Sequence, residues 1–379
     1  MNSNLKIDLS NANTPTLLTK EQADVADGDL YAAIPCVVKA QVDQRLESFV
    51  EDDLVQILRE RQNEVSIGLL TEHRENTDLA RKRLVHPVRY KIDTGGFGSL
   101  EMAEVTKLKE TPLIVIGTGF LSMVSSPAYN RPDYVNPWPG AEYHKDYQGW
   151  GDPLNRFGII GGNPMVIVCD EKMLNGRPVP TSWGDLAEPH WAESIVYPES
   201  EDFMNVFFLP YFITMFGREM AEKIYANCLF PSHPAEMFRR GNLPKPYPIY
   251  IMPYFFADMK ANEDDDTQLV WTKEGALLSP VFISVKEDLV KDKTEISSKN
   301  QARYETVKVL LEYLRSVRFG QVLYGNGKFP VNIPGIDNNL PGPLKWIGWE
   351  NLTEPAYNEL EEQARLIMEK RSVAEAADK

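Results

Sequence analysis

Only three cysteines and five histidines occur in 379 residues. Cys36, Cys169 and Cys228 are odd in number and far apart, with neither disulfide-framework nor zinc-ligand spacing. No run approaches the roughly 20 apolar residues that span a bilayer. The most apolar stretch, Val206 to Phe216, is interrupted by Pro210 and Thr214 and reads as a buried helix. Direct membrane insertion is therefore not expected. Positive charge is also short: 40 Lys and Arg stand against 55 Asp and Glu, a net charge of −15. Nucleic-acid binding needs a basic surface that displaces counterions, so nucleic acid is not an expected partner. The deficit does not forbid an anionic ligand, because a cleft can be locally positive on an acidic protein. Met1 to Asp29 is polar and mixed in charge, without the basic start and apolar core of an export signal. The expectation is a cytoplasmic protein, or a periplasmic or extracellular one if a signal has been removed. Catalytic phrases are missing as well. There is no Gly-x-Ser-x-Gly elbow and no His-Glu-x-x-His, and Gly327-Lys328-Phe329 lacks the hydroxyl of a phosphate loop.

What remains is an alternation of short apolar runs and helical patterns. Strands are predicted at Leu30 to Cys36, Val88 to Ile92, Pro112 to Ile116, Pro164 to Cys169, Ser194 to Tyr197, Tyr247 to Met252 and Leu278 to Val285. Between them, apolar residues recur at helical spacing, as in Val42, Leu46, Phe49, Val50 and Leu54, and in Val307, Leu310, Leu311, Leu314 and Val317. A last amphipathic helix is marked by Tyr357, Leu360, Ala364, Ile367 and Met368. Gly325 to Pro343 is loop, dense in Gly, Pro and Asn. This rhythm belongs to open, mostly parallel α/β sheets.

Four segments carry a family resemblance. They are Ala33-Ile34-Pro35-Cys36-Val37-Val38-Lys39; Pro180-Thr181-Ser182-Trp183-Gly184-Asp185-Leu186; Lys273-Glu274-Gly275-Ala276; and the helix with Leu314-Arg315-Ser316 followed by Phe319-Gly320. In this order they resemble ABC-transporter solute-binding proteins of the type II periplasmic-binding fold, the iron-binding and spermidine-type branch. The resemblance implies two lobes, each a mostly parallel open sheet flanked by helices, with a ligand cleft between them. The expected division is a leader at 1–28, one lobe from 29–155 and 274–379, and the other from 156–273. Hinges are expected near Pro153 to Pro164 and Thr272 to Leu278. The implied partners are a small-molecule or ion ligand and the membrane subunits of a transporter, with the protein itself a monomer and no cofactor.

Ligands in such sheets sit beyond the carboxyl ends of the strands, where N–H groups and helix N-termini are exposed. Three turns qualify in the first lobe. Pro35 to Lys39 offers Cys36 and Lys39, although Cys36 also reads as a small buried hydrophobe. Thr94-Gly95-Gly96 offers backbone that a ligand can approach closely. Gly117-Thr118-Gly119 begins like a dinucleotide fingerprint, but Ser122 stands where its last glycine belongs, leaving Thr118 and Gly119 as plain turn candidates. In the second lobe, Glu199 and Ser200 open a helix, where capping is the plainer reading. Tyr254 and Phe255 follow a strand and could stack on a ligand. In iron-binding relatives an adjacent tyrosine pair ligates the metal, and here only Tyr254 is a tyrosine. Tyr143, His144 and Tyr147 form a loop cluster that fits no metal motif. The rival to a binder is an enzyme on the same fold with Cys36 as nucleophile, for which no histidine lies close in sequence. A cytoplasmic sensor or carrier is a further alternative.

Overall fold

The computed structural model describes residues 36–41, 53, 56–57, 88–93, 114–118, 134–198, 203–239, 243, 245–290 and 301–377. The expected leader, the helix near 42–54 and the candidates Thr94, Gly95, Gly96, Gly119, Glu199 and Ser200 lie outside these residues.

Among the described residues, eleven strands form one hydrogen-bonded mixed sheet. In chain order they are β1 (Cys36–Gln41), β2 (Val88–Asp93), β3 (Ile114–Thr118), β4 (Tyr134–Val135), β5 (Gly158–Asp170), β6 (Ile195–Pro198), β7 (Cys228–Ser232), β8 (Ile249–Pro253), β9 (Thr267–Val270), β10 (Ala276–Lys286) and β11 (Leu344–Lys345). The lateral order is β2-β1-β3-β10-β5-β8-β6-β7. β1, β2 and β3 are mutually parallel, as are β6, β7 and β8. Two long strands join these blocks, with β10 antiparallel to β3 and to β5, and β5 antiparallel to β8.

The long strands correct the sequence expectation most. Predicted at Pro164 to Cys169 and Leu278 to Val285, they run instead from Gly158 to Asp170 and from Ala276 to Lys286. Gly161, Gly162, Asn163 and Pro164 look like a break when read alone. They stay extended because β10 pairs with them throughout. All thirteen residues of β5 are buried. Such a strand reads as nearly continuous apolar sequence rather than as alternation.

Among the described residues, the helices longer than one turn are α1 (Leu209–Phe216), α2 (Arg218–Asn227), α3 (Pro234–Arg239), α4 (Tyr254–Glu263), α5 (Gln301–Leu314), α6 (Val317–Gly327) and α7 (Glu354–Ala377). The single helix expected through Val317 is two. Ser316 ends α5 and caps α6, its Oγ accepting from Phe319 N at 3.1 Å. α7 lays Tyr357, Leu360, Ala364 and Ile367 against α1 and α2. One apolar core gathers Ile116, Ile160, Ile283, Val307 and Phe319, and a larger one gathers β8, α1 and α7 with both faces of the far half of β5.

Candidate functional site

The pairing register locates where the two parallel blocks meet. Thr118, the last residue of β3, pairs with Val281, and Val281 pairs with Gly161. From the other block Pro253, the last residue of β8, pairs with Met165, which pairs with Leu277. The carboxyl ends of both blocks therefore point toward each other along one short stretch of β5 and β10. That stretch is Gly161 to Met165 on one strand and Leu277 to Val281 on the other.

Close packing shapes this crossing. A Cβ on Gly161 would meet Pro330 O at 2.4 Å, and Gly162 donates its N–H to the same carbonyl at 3.1 Å. Between the two blocks, Asn163 and Ser279 are cross-strand partners. Both are buried, and the Ser279 hydroxyl has no hydrogen-bond partner among the described residues. A buried hydroxyl left unpaired costs about 1–3 kcal/mol, so native proteins rarely keep one without a use.

Tyr254 and Phe255 open α4 directly after β8, at the mouth of the second block. Pro253 precedes the helix without a side-chain cap, which leaves the first N–H groups to other partners. Tyr254 is buried edge-on to Trp271, with ring centroids 5.2 Å apart. Burial, with Asp258 and Tyr324 adding to it, pushes the Tyr254 phenol up to about 12. At neutral pH it is a hydrogen-bond donor rather than a phenolate. One turn on, Asp258 pairs with Lys328 at 3.9 Å, so the far end of α6 touches this mouth.

The remaining candidates fall as follows. Thr118 ends β3 inside the strand rather than in a turn. The turn expected at Pro35 to Lys39 is strand from Cys36 onward, because Val37, Val38 and Ala40 pair with β2, and Val38 and Ala40 with β3 as well. Cys36 thus opens β1 at its amino end, and Lys39 lies within it. Of the loop cluster, Tyr147 is buried and donates to Pro330 O at 2.8 Å, and His144 Nε2 is 2.8 Å from Ile336 O. Both are structural. Among the described residues no group of three or more His, Cys, Asp or Glu could hold a metal, and no helix is long and apolar enough to cross a membrane. Asn163 and Ser279 were not legible as candidates. Their only sequence signal is a polar residue between glycine or proline neighbours in an apolar run.

Two of the motif segments turn out to touch. Ser182 Oγ donates to Glu274 Oε1 at 2.6 Å, Trp183 N donates to Glu274 Oε2 at 3.2 Å, and Trp183 Nε1 donates to Gly275 O at 2.9 Å. Asp185 accepts from the N–H groups of Thr181 and Ser182, completing a capping box. In the fourth segment Gly320 is required by contact, since a Cβ would stand 2.8 Å from Ile336.

Residues 111–355, about two thirds of the chain, match the family described as bacterial extracellular solute-binding protein. No curated protein matches the chain. Among solved structures, iron-bound HitA from Pseudomonas aeruginosa is similar at a TM-score of 0.54 and 13% identity, over 88% of this chain and 99% of that one. Ferric iron-binding protein A of Mannheimia haemolytica, in an open conformation, gives 0.56 and 11%, over 89% and 99%. AfuA from Actinobacillus pleuropneumoniae, with exogenous fructose-6-phosphate, gives 0.56 and 10%, over 87% and 97%. The α/β fold is thus that of type II periplasmic-binding proteins. The expectation of a cytoplasmic protein is overturned, because the matched family is extracellular and the polarity of the first residues does not outweigh a match over the body of the chain. The Cys36 enzyme likewise gives way to a family of binding proteins. The chain belongs to the bacterial extracellular solute-binding proteins, the components of ABC transport systems that bind a solute and do no chemistry on it.

Proposed function

We propose that the protein clamps a small solute bearing an anionic oxygen group between two lobes that close about β5 and β10. One lobe is built on β1 to β3 from 29–155 and 274–379, the other on β6 to β8 from 156–273, with α7 packing across onto the second. The observation that carries this reading is the convergence of both sets of strand ends on Gly161 to Met165. Thr94, Gly95, Gly96 and Gly119 follow the last residues of β2 and β3 in the chain, and Glu199 and Ser200 follow the last residue of β6. The uncapped start of α4 offers N–H groups and a positive helix end to an anion. Asn163 and Ser279 supply polar groups on the floor, and Tyr254 with Trp271 an aromatic wall. Similar structures hold iron or fructose-6-phosphate. A protonated Tyr254 suits an oxygen acceptor better than a bare metal ion. Phosphate esters, carboxylates and anionic metal chelates share that chemistry.

Closure follows from contacts available only when both mouths touch the solute, which shifts the population toward the closed form. The protein acts as a monomer and hands the solute to membrane subunits. A thermal-shift screen of phosphate, citrate, ferric citrate and fructose-6-phosphate tests the class, since a ligand at 100 times its Kd adds about 2.7 kcal/mol. X-ray scattering of each stabilised sample should then show contraction. Stabilisation only by uncharged solutes, or binding without contraction, refutes the clamp.

A further inference from the structure

An anionic solute needs a positive partner, and Asn163, Ser279, Tyr254 and Trp271 carry no charge to meet it. The loop after α6 supplies one. A Cβ on Gly161 would stand 3.0 Å from the Phe329 ring and 3.1 Å from Val331 Cα, as well as against Pro330 O. Alternate residues of a strand share a face, so Asn163 faces the way Gly161 does, and Ser279, its cross-strand partner, faces with it. Phe329 to Val331 therefore lie on the face of the crossing that carries the polar floor. Lys328 immediately precedes them.

The half-buried Lys328 ammonium lies 3.9 Å from an Asp258 carboxylate oxygen and 5.9 Å from the centroid of the Tyr324 ring. Both neighbours belong to the mouth. Asp258 is one turn beyond Tyr254 on α4, and Tyr324 is close enough to act on the Tyr254 phenol. At 3.9 Å the ion pair is longer than a hydrogen bond, so among the described residues the three N–H donors of the ammonium stay free. The backbone points the same way. Lys328 ends α6 in the left-handed conformation, φ 49 and ψ 31, with its N–H bonded to Tyr324 O at 2.9 Å. Glycine is the usual occupant there, because a side chain is strained. Such strain clusters at ligand clamps, where it is kept for what the side chain does.

We propose that Lys328 is the residue that recognises the anionic oxygen group of the solute, with Asp258 as the positioning residue that holds its ammonium at the mouth. The role rests on the crossing being the solute cleft. A charge-assisted N–H···O bond forms at about 2.7–2.9 Å, so a phosphate or carboxylate oxygen reaching the floor makes the close bond that Asp258 leaves unmade. A neutral solute of the same shape gains nothing from this ammonium. Lys328 thereby sets the preference for an anion over its uncharged counterpart.

Calorimetric titration of the full chain with phosphate, citrate, ferric citrate and fructose-6-phosphate, and with fructose as the neutral comparison, tests this. An anion that binds the parent should bind Lys328→Met about ten- to a hundredfold more weakly, the loss of a hydrogen bond between charged groups. Lys328→Arg, which restores the charge, should recover most of the affinity, and Asp258→Asn should bind at least as tightly as the parent. Lys328→Gly, relieved of the backbone strain, should melt no lower than the parent yet bind as weakly as Lys328→Met. Equal anion binding by the parent and Lys328→Met overturns the role of Lys328 and leaves the clamp standing. Asp258→Asn as weak as Lys328→Met also overturns it, because the ion pair would then matter as a bridge rather than through the solute. A lower melting temperature for Lys328→Gly makes the lysine structural, with the same consequence. If none of the four anions binds the parent, the anionic solute of the clamp is itself refuted and the role of Lys328 falls with it.

Discussion

The contact between Ser182-Trp183 and Glu274-Gly275 and the crossing at Asn163 and Ser279 both bring polar residues into the interior, and they differ in one respect. At the first, every polar group named above has a partner, over four hydrogen bonds between segments about 90 residues apart. At the second, the Ser279 hydroxyl has none among the described residues. A fully satisfied buried network rigidifies, whereas a partly satisfied one leaves free energy for something else to supply. The first region is thus architecture, and the second is where, on the proposed function, a solute would complete the bonding.

The sharpest way to break the architectural half is Gly275→Val. Gly275 has φ +101, and a Cβ there would meet Pro343 O at 2.6 Å. A left-handed conformation forced on a β-branched residue, plus that clash, should cost about 3 kcal/mol or more. Gly176→Ala is the control. It also has positive φ, at +81, but nothing within 4 Å of the added methyl, and should lose only about 1 kcal/mol. Equal losses in denaturant titrations would mean that the close approach to Pro343 is unimportant.

A smaller effect separates the two regions directly, because both hold a buried serine. Ser182→Ala removes the bond to Glu274 and the cap on Gly184 N, and should cost about 1–2 kcal/mol. Ser279→Ala removes a hydroxyl with no described partner and should be neutral or stabilise by up to about 1 kcal/mol. Solute affinity should respond in the opposite order, with Ser279→Ala weakening binding about tenfold and Ser182→Ala leaving it alone. If Ser279→Ala destabilises as much as Ser182→Ala, the crossing is ordinary core.

That contrast also explains how much was legible in the sequence. Ser182-Trp183-Gly184-Asp185-Leu186 stands out because its residues bond to their own neighbours, so local order carries the signal. The Ser-x-x-x-Gly of Ser316 to Gly320 stands out for the same reason, as a cap and a close packing contact. The parallel blocks were visible as apolar runs, with β2, β3, β6 and β8 displaced by no more than two residues. Asn163 and Ser279 owe their meaning to a pairing across more than 100 residues, which no window along the chain contains. β7 was missed because Phe230-Pro231 reads as a turn, whereas β6 on one side suffices to hold it extended at the sheet edge.

The least disruptive change is Tyr254→Phe, and it bears on what the mouth of the cleft can bind. The phenol makes no hydrogen bond among the described residues, so at pH 7 the substitution should shift stability by less than about 1 kcal/mol. Alkaline pH gives the distinctive signature. Burial raises this phenol to about 12, above the ordinary value of 10.0 that it regains on unfolding. Its neutral form is therefore favoured by folding, and that contribution is complete below pH 10 and lost as the pH climbs toward 12. Tyr313 and Tyr357 are raised for the same reason and decline with it. Tyr254→Phe should accordingly give a stability curve that matches the parent up to about pH 10 and falls less steeply beyond it. A parent and variant that fall in parallel would mean that Tyr254 ionises as freely as a solvent-exposed phenol. Burial would then not hold the proton on this phenol, and the preference for an oxygen acceptor over a bare cation would lose that support.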